Sequence, residues 1–258
     1  MIPTPIASTL TLTLAQAGTG GPIGVALLIG LGAVIVAAIW ATASVIMRRN
    51  RLAGFEAFRK QSGFEPVTGQ DNLERLSEDV ADVFGDLAMY ARQIHIPGAL
   101  RYAARDDFQV EVVHVVLGME ASNAQHHSME KIVVFVRGFD APLPRLRLVP
   151  NNFMFRHIHR DKVFDAETKF GENNLGLGGD AARIRAVLDE PVQQALKDNR
   201  TRVIEVRPEY FACFLHDERV EPANLEKFVA ECLTLAELLR DAARKAGKEP
   251  RMHTDTHG

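Results

Sequence analysis

The residues with the clearest potential for chemistry are His157, His159 and Asp161, which are spaced two apart. Side chains with this spacing point to one side of a β-strand, so two imidazoles and a carboxylate could begin a metal site. Lys162 stands where a further histidine would be useful, and no later segment supplies the remaining ligands at a suitable spacing. Because this stretch lacks the ligands to complete a tetrahedral zinc site, we predict no bound metal.

Gly176, Gly178 and Gly179, followed by Asp180 at the start of a predicted helix, imitate the phosphate-binding turn of dinucleotide-binding folds. That turn requires an apolar strand running directly into the first glycine, so that the phosphates meet the helix N-terminus. Residues 167–174 are polar, and the chain offers few candidates for parallel strands. We therefore predict a turn with close backbone contact before a helix, and no nucleotide cofactor.

No nucleophile elbow, Walker loop or protein kinase signature occurs in the sequence. The two cysteines, Cys213 and Cys232, lie in apolar patterns and lack the C-x-x-C spacing of redox or zinc sites. We expect both to be small core residues in a reducing compartment. The sequence thus identifies no catalytic residue and no cofactor, and it favours a non-enzymatic protein without excluding an enzyme.

The first element of the chain is an unbroken apolar segment, residues 22–47, with no charged side chain. At 1.5 Å per residue, a helix of this length crosses the roughly 30 Å hydrocarbon core of a bilayer. Arg48, Arg49 and Arg51 follow at once, whereas residues 1–21 contain no Lys or Arg. By the positive-inside rule we expect the three arginines at the cytoplasmic membrane interface, with the tail 1–21 outside and the rest of the chain in the cytoplasm.

A cleaved secretory signal is the alternative for the N-terminus, with an apolar core at 10–14 and an A-x-A-like site at 15–17. It lacks a basic region ahead of the core, and Thr9, Thr11 and Thr13 dilute the apolar pattern. The segment 22–47 would anchor the chain in either case.

Small residues recur at every fourth position of the apolar segment and include Ala33, Ala37 and Ala41. Such a stripe lets two helices approach closely in lipid, where close packing rather than hydrophobic burial drives association. We therefore expect the bilayer as one partner, and a protein partner or a second copy bound through this helix as another. The net charge of −3 is near neutral and argues against a nucleic-acid partner.

About two hundred residues follow the arginines, enough for one domain or for two small lobes. Apolar segments at 100–104, 108–117, 131–137 and 146–149 predict an antiparallel meander, preceded by an amphipathic helix from Asn72. From Phe170 onward the pattern predicts a strand, a helix from Asp180 with a kink or restart at Pro191, a hairpin, and a final helix from Pro222.

These patterns give an α+β fold: one N-terminal transmembrane helix, then an antiparallel sheet with packed helices in one domain or two lobes. The expected divisions are a tail 1–21, the transmembrane helix 22–47, a basic stalk 48–70, a first lobe 71–150, a second lobe 151–244 and a disordered tail 245–258.

The order of elements carries one resemblance. The features that carry it are the single membrane helix with its arginine-rich exit, Gly63 and Phe64 after a short helix, the segment 143–150 closing a meander, the helix start at Asp180, and Pro191 inside that helix. In these features the chain resembles a group of uncharacterised bacterial single-pass membrane-anchored proteins. This resemblance implies a bacterial inner-membrane setting and a cytoplasmic domain of unknown function, and it assigns no site residue.

The sequence therefore favours a membrane-anchored accessory or scaffold protein with a cytoplasmic binding domain. The alternative is an enzyme or small-ligand sensor with a pocket between the two predicted lobes.

Overall fold

The computed structural model describes residues 22–85, 91–103, 108–120, 126–151, 169–178, 180–216 and 218–248. The tail 1–21 and the residues His157, His159 and Asp161 lie outside this described part. The chain divides into two compact units, Met1–Gly54 and Phe55–Gly258.

Helix α1 (Pro22–Ser62) contains the predicted transmembrane segment and most of the predicted stalk in one continuous helix. Over the part Leu28–Ser62 it is long and apolar enough to cross a membrane, and its most apolar window is not buried by other parts of the protein. Ile35 and Trp40, for example, are 50% and 73% exposed. Gly63, with φ of 72°, ends the helix as predicted, because glycine adopts this left-handed conformation without strain.

The second unit, Phe55–Gly258, is built on one antiparallel sheet of eight strands. The strands are β1 (Glu65–Pro66), β2 (Ala91–Ala103), β3 (Gln109–Glu120), β4 (His126–Arg137), β5 (Leu146–Pro150), β6 (Asn174–Leu177), β7 (Arg202–Val206) and β8 (Phe211–Leu215). Their order across the sheet is β1-β2-β3-β4-β8-β7-β5-β6. Strands from both predicted lobes thus join one sheet, since β8 pairs with β4 and β7 pairs with β5.

The helices of this unit are α2 (Gln70–Val83), α3 (Lys169–Asn173), α4 (Ala181–Val187), α5 (Glu190–Leu196) and α6 (Leu225–Lys248). Helix α2 packs on one face of the sheet through Leu76, Val80 and Val83, which are buried with inward-facing residues such as Val113 and Phe135. The fold class is therefore α+β, as predicted from the sequence.

The opposite face carries a larger apolar core formed by α4, α5 and α6 together with the last two turns of α1. The predicted final helix is confirmed, and it buries one apolar stripe from Leu225 and Phe228 to Leu239. Cys213 and Cys232 are both buried in this core, which confirms their predicted place. Valine is buried on both sides of β4, from Val133 to Val136, as expected for a central strand.

Local capping explains where several of these helices begin. The Asp180 side chain accepts a hydrogen bond from the backbone N–H of Arg183, so the predicted N-cap of α4 is confirmed. The helix then stops, and α5 restarts with Asp189 as its N-cap and Pro191 in its first turn. The final helix opens with the short 3₁₀ turn Pro222–Asn224.

Three expectations about element boundaries are wrong. Strand β2 begins at Ala91 and not at residue 100. A register irregularity between His95 and Gly98 lets the strand continue through Pro97 and Gly98. Phe170 lies in α3 and not in a strand. Helix α6 continues to Lys248, so its last residues replace the start of the predicted disordered tail.

Candidate functional site

The predicted site residues of the membrane segment lie on α1. Ala33, Ala37 and Ala41 are all exposed, and their spacing of four residues places them on one face of the helix. Arg49 is exposed and Arg51 is half-buried, whereas the side chain of Arg48 lies outside the described part. Helix packing through the alanines and a membrane interface at the arginines stay predictions.

The second unit contains a cluster of charges that the sequence analysis did not predict. Six residues form a row across the α2 face of the sheet, which we call the charged row. The charged row consists of Arg101, Glu111, Arg137, Arg147, Glu205 and Arg207. Antiparallel register creates it, because Arg101 lies opposite Glu111 and Arg147 lies opposite Glu205 on neighbouring strands.

Glu111 is the centre of one half of the charged row, and its side chain is fully buried. Its Oε1 accepts hydrogen bonds from Arg75 Nη2 at 2.6 Å and Arg101 Nη2 at 2.9 Å, and its Oε2 accepts from Arg137 Nε at 2.9 Å. Burial alone would raise the pKa of Glu111, but the hydrogen bonds and charges of Arg137 and Arg75 outweigh it and hold the pKa below its ordinary value. Glu111 is therefore a structural anion.

Helix α2 is tied to the charged row by its own side chains. Arg75 bonds Glu111, and Asp79 accepts a hydrogen bond of 2.5 Å from Arg137. Near the helix C-terminus, Asp82 accepts hydrogen bonds of 3.0 Å from both Arg207 and the Tyr210 hydroxyl. The charges thus fix the position of α2 along the sheet, while its apolar face supplies the burial.

Arg147 connects the other half of the charged row to the same helix end. It forms an ion pair with Glu205 and donates hydrogen bonds of 3.0 and 3.1 Å to the backbone carbonyls of Asp82 and Val83. These carbonyls lie in the last turn of α2, where positive charge is favourable. Burial raises the pKa of Glu205, and the charges of Arg147 and Arg207 offset only part of this effect.

Burial also raises the pKa of Tyr210, and the adjacent Asp82 carboxylate raises it further, so the hydroxyl keeps its proton.

Every member of the charged row is engaged by a partner of opposite charge. Such an arrangement stabilises the docking of α2.

A second polar feature lies on another part of the unit. A cleft of about 470 Å³ is bordered by the turn before β7, the segment after β8 and the first turns of α6. All its lining residues fall between 195 and 231, so the cleft belongs to the second predicted lobe and does not lie between the two lobes. Its apolar floor includes Leu215, Val220 and Phe228.

Two buried polar side chains hold the walls of this cleft. Asn199 donates to the carbonyl of Arg202 at 3.0 Å and accepts from the Arg202 N–H at 2.9 Å, which fixes the turn before β7. Lys131, only 5% exposed, donates to the carbonyls of Leu215 at 2.9 Å, of His216, and of Glu218 at 3.3 Å. These contacts set the path of the segment after β8.

Gly178, before α4, makes the close backbone contact predicted for the glycine turn, whereas Gly176 lies in β6 and Gly179 lies outside the described residues. A Cβ atom placed on Gly178 would lie 2.5 Å from Ile184 Cδ1 and 2.6 Å from the Arg145 carbonyl oxygen. The backbone thus approaches its neighbours closely enough to require glycine. Among the described residues, no group of three or more His, Cys, Asp and Glu side chains is arranged to hold a metal ion.

These observations define a class: an α+β protein with one N-terminal helix able to cross a membrane. No family model matches the sequence, and no curated protein matches it significantly. One solved structure with a similar shape is the crystal structure of the mycobacterial trehalose monomycolate transport factor A, TtfA. The sequence identity is 8%, the TM-score is 0.46, and the match covers 73% of this chain and 92% of that one. Similarity at this level identifies neither a family nor a function.

Proposed function

We propose that the protein is a non-enzymatic accessory or scaffold protein, anchored in a bacterial inner membrane by α1, whose second unit binds a protein partner. The observation that carries this proposal is the exposed apolar surface of α1, which a bilayer would cover. The groups of the charged row hold α2 on the sheet, so the proposal assigns them a structural role.

The proposed topology places the N-terminal tail outside the cytoplasm and the second unit inside it. Its support is the position of Arg49 and Arg51, which follow the apolar segment on one side only. A reporter enzyme fused after Gly258 tests this directly: we expect activity for a reporter that works in the cytoplasm and none for one that requires export. The opposite pattern would reverse the orientation.

The scaffold role is tested by purifying the full chain from native membranes in mild detergent and identifying stoichiometric partners. Within this role, α1 contributes to recognition through its small-residue face. The variant Ala37→Leu adds bulk on that face, and a loss of roughly 1 kcal/mol would weaken association about fivefold. Val36→Leu on a neighbouring face is the matched control and should change nothing.

Two results would contradict parts of the proposal. Equal recovery of partners with wild type and Ala37→Leu would limit α1 to anchoring and assign specificity to the second unit. Recovery of the chain alone and as a monomer would remove the scaffold role itself.

A second candidate function is a small-ligand sensor, and the cleft beside α6 is the observation that favours it. Its volume of about 470 Å³ is in the range of small-molecule sites, and it combines an apolar floor with charged walls.

A further inference from the structure

The charges at the cleft differ from those of the charged row. Arg200 and Arg219 line the cleft, are exposed, and have no ion pair within the described part of the chain. The carboxylates of Glu218 and Glu221 line it too and are likewise exposed and unpaired among the described residues. Arg137 in the charged row is paired with Glu111 and Asp79, whereas these four residues present charges of both signs to solvent at the cleft.

The cleft is lined by equal numbers of basic and acidic side chains. Four are basic and four are acidic: Arg200, Arg202, Arg219 and Lys227, and Asp198, Glu218, Glu221 and Glu231. Glu231 on α6 pairs with Arg202 on β7 at 2.5 Å and with Lys227 of its own helix at 4.0 Å. The remaining charges therefore offer attraction to an anion and to a cation together, and a ligand of a single sign would meet repulsion as well as attraction.

The walls are held in place before any ligand arrives. The buried side chains of Asn199 and Lys131 fix the two irregular segments, and the His216 N–H donates to the Thr201 carbonyl at 2.6 Å to join one wall to the other. Buried polar groups used in this way cost stability unless they stay fully bonded, so they favour a single loop conformation. A rigid wall lowers the entropy cost of binding.

We propose that this cleft binds a small zwitterionic ligand of the amino-acid or short-peptide type. Its carboxylate lies toward the guanidinium groups of Arg200 and Arg219, its ammonium group lies toward Glu218 and Glu221, and its apolar part covers the floor at Phe228. The inference is independent of the scaffold role, because a partner bound elsewhere would leave the cleft unchanged.

The test is isothermal titration calorimetry of the full chain in detergent micelles, with the dipeptide leucyl-leucine as the probe. We expect binding with a Kd between about 10 µM and 1 mM, which weakens as salt is raised. N-acetyl-leucyl-leucine lacks the ammonium group and leucyl-leucine amide lacks the carboxylate, and each should bind at least threefold more weakly. Phosphoethanolamine, which has an ammonium and a phosphate group but no apolar part, distinguishes a lipid headgroup from a peptide and should bind more weakly than the dipeptide.

Variants locate the site. Arg200→Gln and Arg219→Gln should each weaken leucyl-leucine binding at least threefold, and both side chains are exposed, so the fold should be kept. Arg145→Gln removes an exposed arginine outside the cleft and should leave the Kd unchanged. Circular dichroism of each variant confirms the fold. The proposal is overturned by no measurable heat with the dipeptide, by equal binding of the blocked forms, by tighter binding of phosphoethanolamine, or by equal weakening in Arg145→Gln.

Discussion

Replacement of Glu111 by glutamine is the sharpest test of the role assigned to the charged row. The substitution keeps the shape of the side chain but removes the charge that Arg75, Arg101 and Arg137 surround. Glutamine also places an amide N–H₂ group where the carboxylate accepted hydrogen bonds, so at least one guanidinium group would face another donor. We expect the variant to fold and to lose a large part of its stability.

The size of the loss follows from the burial of each partner. Removing one member of a fully buried ion pair costs about 3 to 5 kcal/mol. The side chains of Arg75 and Arg101 are 35% and 32% exposed, so water can partly replace the lost carboxylate, and Arg137 keeps its bond to Asp79. With this screening we expect a loss of roughly 2 to 4 kcal/mol in the free energy of unfolding. For a unit of this size, that lowers the Tm by about 4 to 16 °C.

The assay is urea unfolding of the full chain in mild detergent, followed by far-ultraviolet circular dichroism. Glu78→Gln is the matched control, because Glu78 is an exposed residue of α2 with no ion pair in the described part of the chain. The control should stay within about 0.5 kcal/mol of wild type. A Glu111→Gln variant as stable as this control would refute the assignment of the charged row as the lock between α2 and the sheet.

Four further predictions use the same unfolding assay. The folded-state pKa of Glu111 lies below its ordinary value of 4.5, so the stability advantage of wild type over Glu111→Gln should be present above pH 4.5 and shrink as pH falls through the folded pKa. The pKa of Glu205 is raised in the folded state, so wild type should gain stability relative to Glu205→Gln as pH falls through that pKa toward 4.5. If this stability difference instead shrank as pH fell, as expected for Glu111→Gln, the prediction would be contradicted. Gly178→Ala should lower the free energy of unfolding by about 1 to 3 kcal/mol, because its Cβ would meet a backbone oxygen. Gly30 has open space around it, so Gly30→Ala should leave the free energy of unfolding unchanged. Equal effects of the two substitutions would contradict the close approach at Gly178. Lys131→Met should lower the free energy of unfolding by about 2 to 4 kcal/mol, because buried carbonyl groups lose their hydrogen-bond donor. A variant as stable as wild type would show that water replaces the Lys131 ammonium group.

Periodic apolar patterns explain why much of the fold could be read from the sequence. The final helix was predictable because seven apolar positions follow the 3.6-residue period, and burial of the whole stripe confirms it. The start of α4 was predictable because an aspartate side chain satisfies a local N–H group. In both cases the physical cause lies within a few residues of chain.

The charged row and the cleft could not be predicted in the same way. Glu111 does leave a local signal, since it is a charged residue between Val110 and Val112 in an apolar strand, but its partners come from residues as distant in sequence as Arg75 and Arg137. Strand register alone decides which of these side chains meet. The sequence by itself determined the membrane-length helix, the α+β class and the buried faces, because these depend on local composition and period. Only the tertiary structure decided that strands from both halves of the chain form one sheet and that buried charges hold α2 on it. It also decided that unpaired charges of both signs line one cleft. These features depend on which distant segments pack together.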